Sequence, residues 1–253
     1  MEWIILIVAF VGAALSFFTG FGFGTILLPV MALFFDLPTA VMMTAFVHFV
    51  NTIYKLFLVG KHAHWPTVIA FGIPSAIGAV LGALLLSLLT SYFTPFEYSL
   101  FGWIGETSGL NIIMGILLIS FSLFEYFNFL ERLIQGKQSL WIGGLLSGFF
   151  GGVSGQQGAL RSAFLIHQLN DKHVFMGTRT VLAAIVDSVR ITTYLSSIPL
   201  IFAQQNSWPM IFAILGGIGG ATVGNILLQK ISLSWIRKAI VIFLLVVGFY
   251  IMF

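Results

Sequence analysis

The sequence predicts an all-α, polytopic membrane protein of two inverted repeats, each a glycine-broken hairpin of short helices plus three transmembrane helices. Three observations carry this. The chain of 253 residues is 59% hydrophobic and 8% charged, with a mean hydropathy of +1.07, whereas soluble domains carry about 25% charged residues. Its apolar segments run for about 20 residues, the length an α-helix needs to cross about 30 Å of hydrocarbon, and barrel-type alternation is not visible. Glycine clusters interrupt two segments at corresponding places, Gly20 to Gly24 and Gly151 to Gly158. A single membrane domain over residues 1–253 is expected, with repeat one at 1–130 and repeat two at 139–253.

Ile4 to Phe18 is apolar, and Glu2 stands where a secretory signal would carry basic residues, so the segment is expected in the mature protein. Gly20, Gly22 and Gly24 break it, Thr25 to Phe35 resumes as a half-helix, and Asp36-Leu37-Pro38 ends it. Thr39 to Gly60 reads as a full span, Lys61-His62-Ala63-His64 as a basic link, and Trp65 to Leu89 as a span that Pro74 is expected to kink. The stretch from Thr90 to Gly109 reads as a loop without lysine or arginine; Leu110 to Leu130 is the next span, and Glu131 to Lys137 a charged link.

The pattern then recurs. Leu140 to Phe150 is apolar, Gly151, Gly152, Gly155 and Gly158 interrupt, Ala159 to Leu169 resumes, and Asp171-Lys172-His173 closes the hairpin. Val174 to Ser196, Trp208 to Leu228 and Ser234 to Phe253 are the remaining spans. Landmarks match in order: Phe17-Phe18-Thr19-Gly20 with Phe149-Phe150-Gly151-Gly152, Asn51-Thr52 with Asp187-Ser188, Trp65-Pro66 with Trp208-Pro209, and Gly78 and Gly82 with Gly220 and Gly224. The paired glycines most simply let helices approach closely.

Lysine and arginine concentrate on the cytoplasmic side of membrane proteins. Lys61, Arg132, Lys137, Lys172, Lys230, Arg237 and Lys238 lie in or beside four links, while the loops at 90–109 and 197–207 have none. Placing those links inside puts both ends of the 139–170 hairpin inside and both ends of its counterpart, 1–36, outside. The halves are then inverted, and both termini are expected on the periplasmic face of a bacterial inner membrane.

Interrupted segments at matching places in two halves point to a transporter site near the midplane. The half-helix amino ends near Thr25 and Gly158 offer unpaired N–H groups and partial positive charge, which suit an anion. Thr44, His48, Asn51 and Lys55 follow one another at spacings of four, three and four, so they share a helix face. Arg179 and Arg190 are eleven apart, three turns, with Asp187 on the same side. With Arg161, the second half is net positive inside the membrane, where ionisable groups are costly. The bland alternatives are specific: Arg179, Arg190 and Lys55 snorkel to the interface, Asp187 pairs structurally with Arg190 or Arg161, and His48 packs as a neutral ring.

The paired Phe-Phe-x-Gly hairpins, the asparagine or aspartate span and the Trp-Pro starts resemble the TauE/SafE sulfite exporter family, also called the sulfonate uptake permease family, over almost the whole chain. The resemblance implies a carrier of sulfur-containing anions such as sulfite or organosulfonates, with the hairpin glycines Gly20, Gly22, Gly24, Gly152, Gly155 and Gly158 at the site. The expected binding residues are Thr25, His48, Asn51, Ser154, Gln156, Gln157, Arg161, Arg179 and Arg190, with Asp187 or His48 carrying a coupling proton. Amide N–H groups and guanidinium forks satisfy the several acceptor oxygens of such an anion.

A passive anion channel of the same architecture stays open on these residues. Gly152-Val153-Ser154-Gly155 also has the G-x-S-G form of an intramembrane serine hydrolase, but that chemistry needs an activating histidine and none follows His173. The expectation is therefore not an enzyme. No cofactor is expected, and His62 and His64 lack further ligands in sequence for a metal. The expected partners are a small anionic substrate and the lipid bilayer, with a homo-oligomer left open. Basic residues are scattered singly, which argues against nucleic acid.

Overall fold

A computed structural model of the chain describes residues 1–16, 22–100, 103–127, 129, 139–166, 168–197, 207–227 and 234–253. The helices are α1 (Glu2–Leu15), α2 (Phe23–Ala32), α3 (Leu37–Val59), α4 (Trp65–Tyr92), α5 (Gly109–Tyr126), α6 (Leu140–Ser154), α7 (Gly158–Leu165), α8 (Lys172–Ser197), α9 (Trp208–Leu227) and α10 (Ser234–Met252), with a 3-10 turn at Gly60–His62. The expected landmarks Phe17 to Gly20, the link 131–137, most of the loop at 197–207 and Lys230 lie outside the described residues.

Local chemistry sets the helix ends. Asp36 caps α3 by accepting the Thr39 N–H at 3.1 Å, and Asp171 accepts the Val174 N–H at 2.9 Å at the start of α8. That bond holds the exposed Asp171 carboxyl below its ordinary value. Proline in the first turn opens α4 and α9, where its missing N–H costs nothing. Gly155, at φ +76°, ends α6 in the left-handed conformation that a side chain disfavours. The α4 helix continues through Pro74.

The segment expected as a loop at 90–109 contains two antiparallel strands, β1 (Phe96–Leu100) and β2 (Trp103–Thr107), with Phe96 opposite Thr107. The Tyr98 hydroxyl donates to the Phe253 carbonyl at 2.5 Å and Thr107 Oγ1 to the Met252 carbonyl at 2.8 Å. The hairpin thus satisfies carbonyls that the end of α10 leaves without helical partners.

Long-range packing joins elements from the two halves: α4 with α6, α1 with α9, α3 with α8 and α5 with α10. The first two pairs are close because glycines admit the neighbouring backbone. A Cβ on Gly148 would lie 2.0 Å from the Ser75 carbonyl oxygen, one on Gly82 2.0 Å from that of Phe149, and one on Gly220 1.9 Å from that of Phe10. Gly148→Leu is therefore expected to force α4 and α6 apart and remove the monodisperse species in size-exclusion chromatography. Gly219→Ala, whose added carbon would meet only the Phe10 ring at 3.3 Å, is expected to retain it.

Among the described residues, three helices are long and apolar enough to cross a membrane: Leu37–His62, Trp65–Tyr92 and Trp208–Ile226. The α8 helix is 26 residues long but carries Arg179, Asp187 and Arg190 along its length. At one end of the molecule the His62 and His173 rings lie 5.5 Å apart and the His64 N–H donates to Thr178 Oγ1 at 2.9 Å. At the other, the strands, the start of α3 and the end of α4 meet around Asp36, Phe93 and Glu106. We call these the link end and the strand end.

Candidate functional site

Ser16, Gly22 and Phe23 of the first hairpin and Gly155, Gln157 and Gly158 of the second line a cavity of about 50 Å³. A single water needs roughly 10–15 Å³, so this space takes a solute of several heavy atoms. The half-helices α2 and α7 both begin here, at Gly22 and Gln157, and neither has a side-chain cap. The positive ends of two helix dipoles therefore lie beside the cavity.

Two long helices form the walls. His48, Thr52 and Lys55 come from one face of α3, Arg179 and Thr180 from α8, and Arg161 from the first turn of α7. The lining residues run from the middle of α3 toward its end and from the middle of α8 back toward its start, so the cavity extends toward the link end. Lys55 Nζ donates to Ser16 Oγ at 2.6 Å. Arg161 Nη1 donates to the Arg179 carbonyl at 3.0 Å and Nη2 to Gln157 Oε1.

Behind this wall lies Asp187, fully buried. Its Oδ2 is 2.6 Å from His48 Nδ1 and accepts Thr52 Oγ1 at 3.2 Å. Its Oδ1 accepts Gln157 Nε2 at 3.1 Å and lies 2.9 Å from Arg190 Nη2. Arg190, 1% exposed, offsets the Asp187 charge from behind the wall. A buried carboxylate is tolerable only with this many donors.

Of the residues singled out in the sequence, His48, Gln157, Arg161 and Arg179 line the cavity together with the backbone of Gly22, Gly155 and Gly158. Asp187 and Arg190 support it from behind; Arg190 makes a buried ion pair rather than snorkelling. Asn51 turns to α9, its Nδ2 donating to the Gly217 carbonyl at 2.7 Å. Thr25 is buried in the first turn of α2, and Gly24 packs against the His48 ring, where a Cβ would lie 3.3 Å from Cδ2. Gly152 serves helix packing, its Cβ position 2.3 Å from the Ala79 carbonyl oxygen. Gln156 is buried beside the tip without lining the cavity, and Gly20 lies outside the described residues.

Ser154 Oγ donates to the Phe150 carbonyl at 3.1 Å while His48 Nδ1 faces Asp187. The described residues thus hold no hydrogen-bonded serine–histidine pair. Four polar wall residues, Ser16, Thr52, Lys55 and Thr180, were absent from the sequence-derived site. Lys55 was open to snorkelling but turns inward; its seven-residue spacing from His48 was the available signal. Thr52, one turn beyond His48, carried the same signal, whereas Ser16, at the end of an apolar helix, carried none.

No curated protein and no solved structure matches the chain. The family model for sulfite exporter TauE/SafE matches residues 4–251. Together with apolar helices of membrane-crossing length, that coverage identifies a multi-pass membrane protein: the chain belongs to the sulfite exporter TauE/SafE family.

Proposed function

We propose that this protein is a secondary transporter that moves a small sulfur-containing anion, sulfite or an organosulfonate, across the bacterial inner membrane, in the export direction and by alternating access. The observation that carries the reading is the cavity between two uncapped helix amino ends, walled by Lys55, Arg161 and Arg179. Dipole ends and guanidinium forks in a desolvated space favour an anion rich in acceptor oxygens. A volume of about 50 Å³ suits the compact members of that class. Discontinuous helices meeting between the halves are the usual setting of such sites in transporters built from inverted repeats.

The pairing of α4 with α6 and of α9 with α1 supports the inverted arrangement, because exchanging the halves converts one pair into the other. The basic link end is then cytoplasmic and both termini periplasmic. His48 on the cavity wall and Asp187 behind it, 2.6 Å apart, are the groups through which a proton would couple to transport. Purified protein in liposomes is expected to move sulfite or a sulfonate, and a proton gradient is expected to drive accumulation. Downhill flux alone would make it a channel, and absence of flux under any pH gradient overturns the proposal.

A further inference from the structure

On the strand-end side of the hairpin tips, buried polar atoms gather without partners. Thr44 Oγ1, both amide atoms of Gln156 and Arg190 Nε have no hydrogen-bond partner among the described residues, and the three side chains are 3%, 2% and 1% exposed. Thr44 lies one turn before His48 on α3, away from Lys55, and Arg190 one turn beyond Asp187 on α8. Gln156 follows Gly155 at the tip, and a Cβ on Gly155 would lie 2.7 Å from Arg190 Nη1. A Cβ on Gly24 would lie 3.7 Å from the Gly155 oxygen and 3.8 Å from Thr44 Cγ2, so the tip and Thr44 are close neighbours. On the open side, the Gln157 amide and the Lys55 ammonium are hydrogen-bonded; Arg161 Nε is the comparable orphan there. Unpaired buried donors and acceptors are costly, and a cluster of them calls for a ligand.

We propose that Thr44, Gln156 and Arg190 form a second oxyanion subsite, occupied when the protein opens toward the strand end, and that Tyr194 is its gate. This rests on the transporter reading and assigns the far half of the pathway. The Tyr194 hydroxyl donates to the Gly152 carbonyl and Arg190 Nη1 to the Gly151 carbonyl at 3.3 Å, which pins the end of α6 against α8. Tyr194 is 1% exposed within the same apolar cluster as Val153 and Leu86. Breaking these two bonds would let the tip move off α8 and expose the orphaned groups to a hydrated anion.

The chain contains no cysteine, so single-cysteine variants report cleanly on access. In oriented vesicles, an impermeant methanethiosulfonate should modify Thr180→Cys from the link end. It should modify Thr44→Cys only from the strand end, slowly, and about tenfold faster when Tyr194→Phe removes one buried hydrogen bond. Modification of Thr44→Cys from the link end as fast as Thr180→Cys, or none from the strand end even with Tyr194→Phe, overturns the proposal. Should the Tyr194 variant fail to fold, Gln156→Leu supplies a second test. It should raise the KM for sulfite entering from the strand end about tenfold while leaving the opposite KM unchanged, and an equal effect on both sides overturns the assignment. Labelling reads the path without flux, so a wild-type protein that carries no sulfur anion sinks the transporter reading separately.

Discussion

Asp187→Ala is expected to cost roughly 3–5 kcal/mol of stability, because it leaves a buried cation without its counter-charge. Arg190 lies 2.9 Å from Asp187 and is 1% exposed, so it cannot reach water when its partner is removed. The same substitution removes the acceptor on which His48 Nδ1, Thr52 Oγ1 and Gln157 Nε2 converge, leaving the first two only their 3.3 Å contact with each other. Thermal unfolding in detergent, followed by size exclusion, measures the loss. Asp187→Asn should be milder, since it keeps the volume and one acceptor. The double variant Asp187→Ala with Arg190→Met should recover much of the stability, because no lone charge then remains. Such recovery would mark the pair as an electrostatic unit rather than two independent contacts. A single variant as stable as the parent would show that Arg190 is neutralised elsewhere.

The architecture around this pair was legible in the sequence to different depths. Apolar runs of membrane length, Asp36 before Pro38, and Trp-Pro at two starts placed α3, α4 and α9 closely, since these signals act within one turn of the chain. The glycines at 151–158 marked the break between α6 and α7 for the same local reason. The direction in which a polar side chain turns is set by neighbours far away in sequence. Asn51 shares a helix face with His48 by spacing, yet its amide finds the Gly217 carbonyl on α9. Lys55 could have reached either the interface or the interior, and Ser16, 39 residues earlier, holds it inside. The stretch at 96–107 reads as loop because the strands are anchored on the carbonyls of Met252 and Phe253 at the end of α10, far along the chain. In a helix such as α4, apolar on every side, the residue pattern does not reveal the packed face. There only the glycines showed where another backbone approaches.

Arg161→Ala is expected to abolish transport while the protein still inserts and runs as a monodisperse species. Arg161 occupies the first turn of α7, where the helix dipole opposes a cation, and its two described partners, Gln157 Oε1 and the Arg179 carbonyl, are uncharged acceptors. Neither carries a charge, so on the proposed reading an anion in the cavity adds to the field of the Asp187 carboxylate in balancing the guanidinium. Loss of one charge-assisted hydrogen bond, about 1.5–3 kcal/mol, should weaken anion affinity roughly 10- to 150-fold. The loss exceeds this if Gln157 relaxes as well, because Arg161 also orients that amide. Arg161→Lys should be intermediate: it keeps the charge but cannot hold Gln157 and the Arg179 carbonyl at once while also meeting the substrate. Folding should be little affected, because the Gln157 amide keeps its bond to Asp187 and the Arg179 carbonyl belongs to a helix. Sulfite uptake into liposomes, paired with thermal unfolding of the same samples, separates the alternatives. Unchanged uptake with lowered stability would make Arg161 a brace between α7 and α8, and the anion would then have to be held by Lys55 and Arg179.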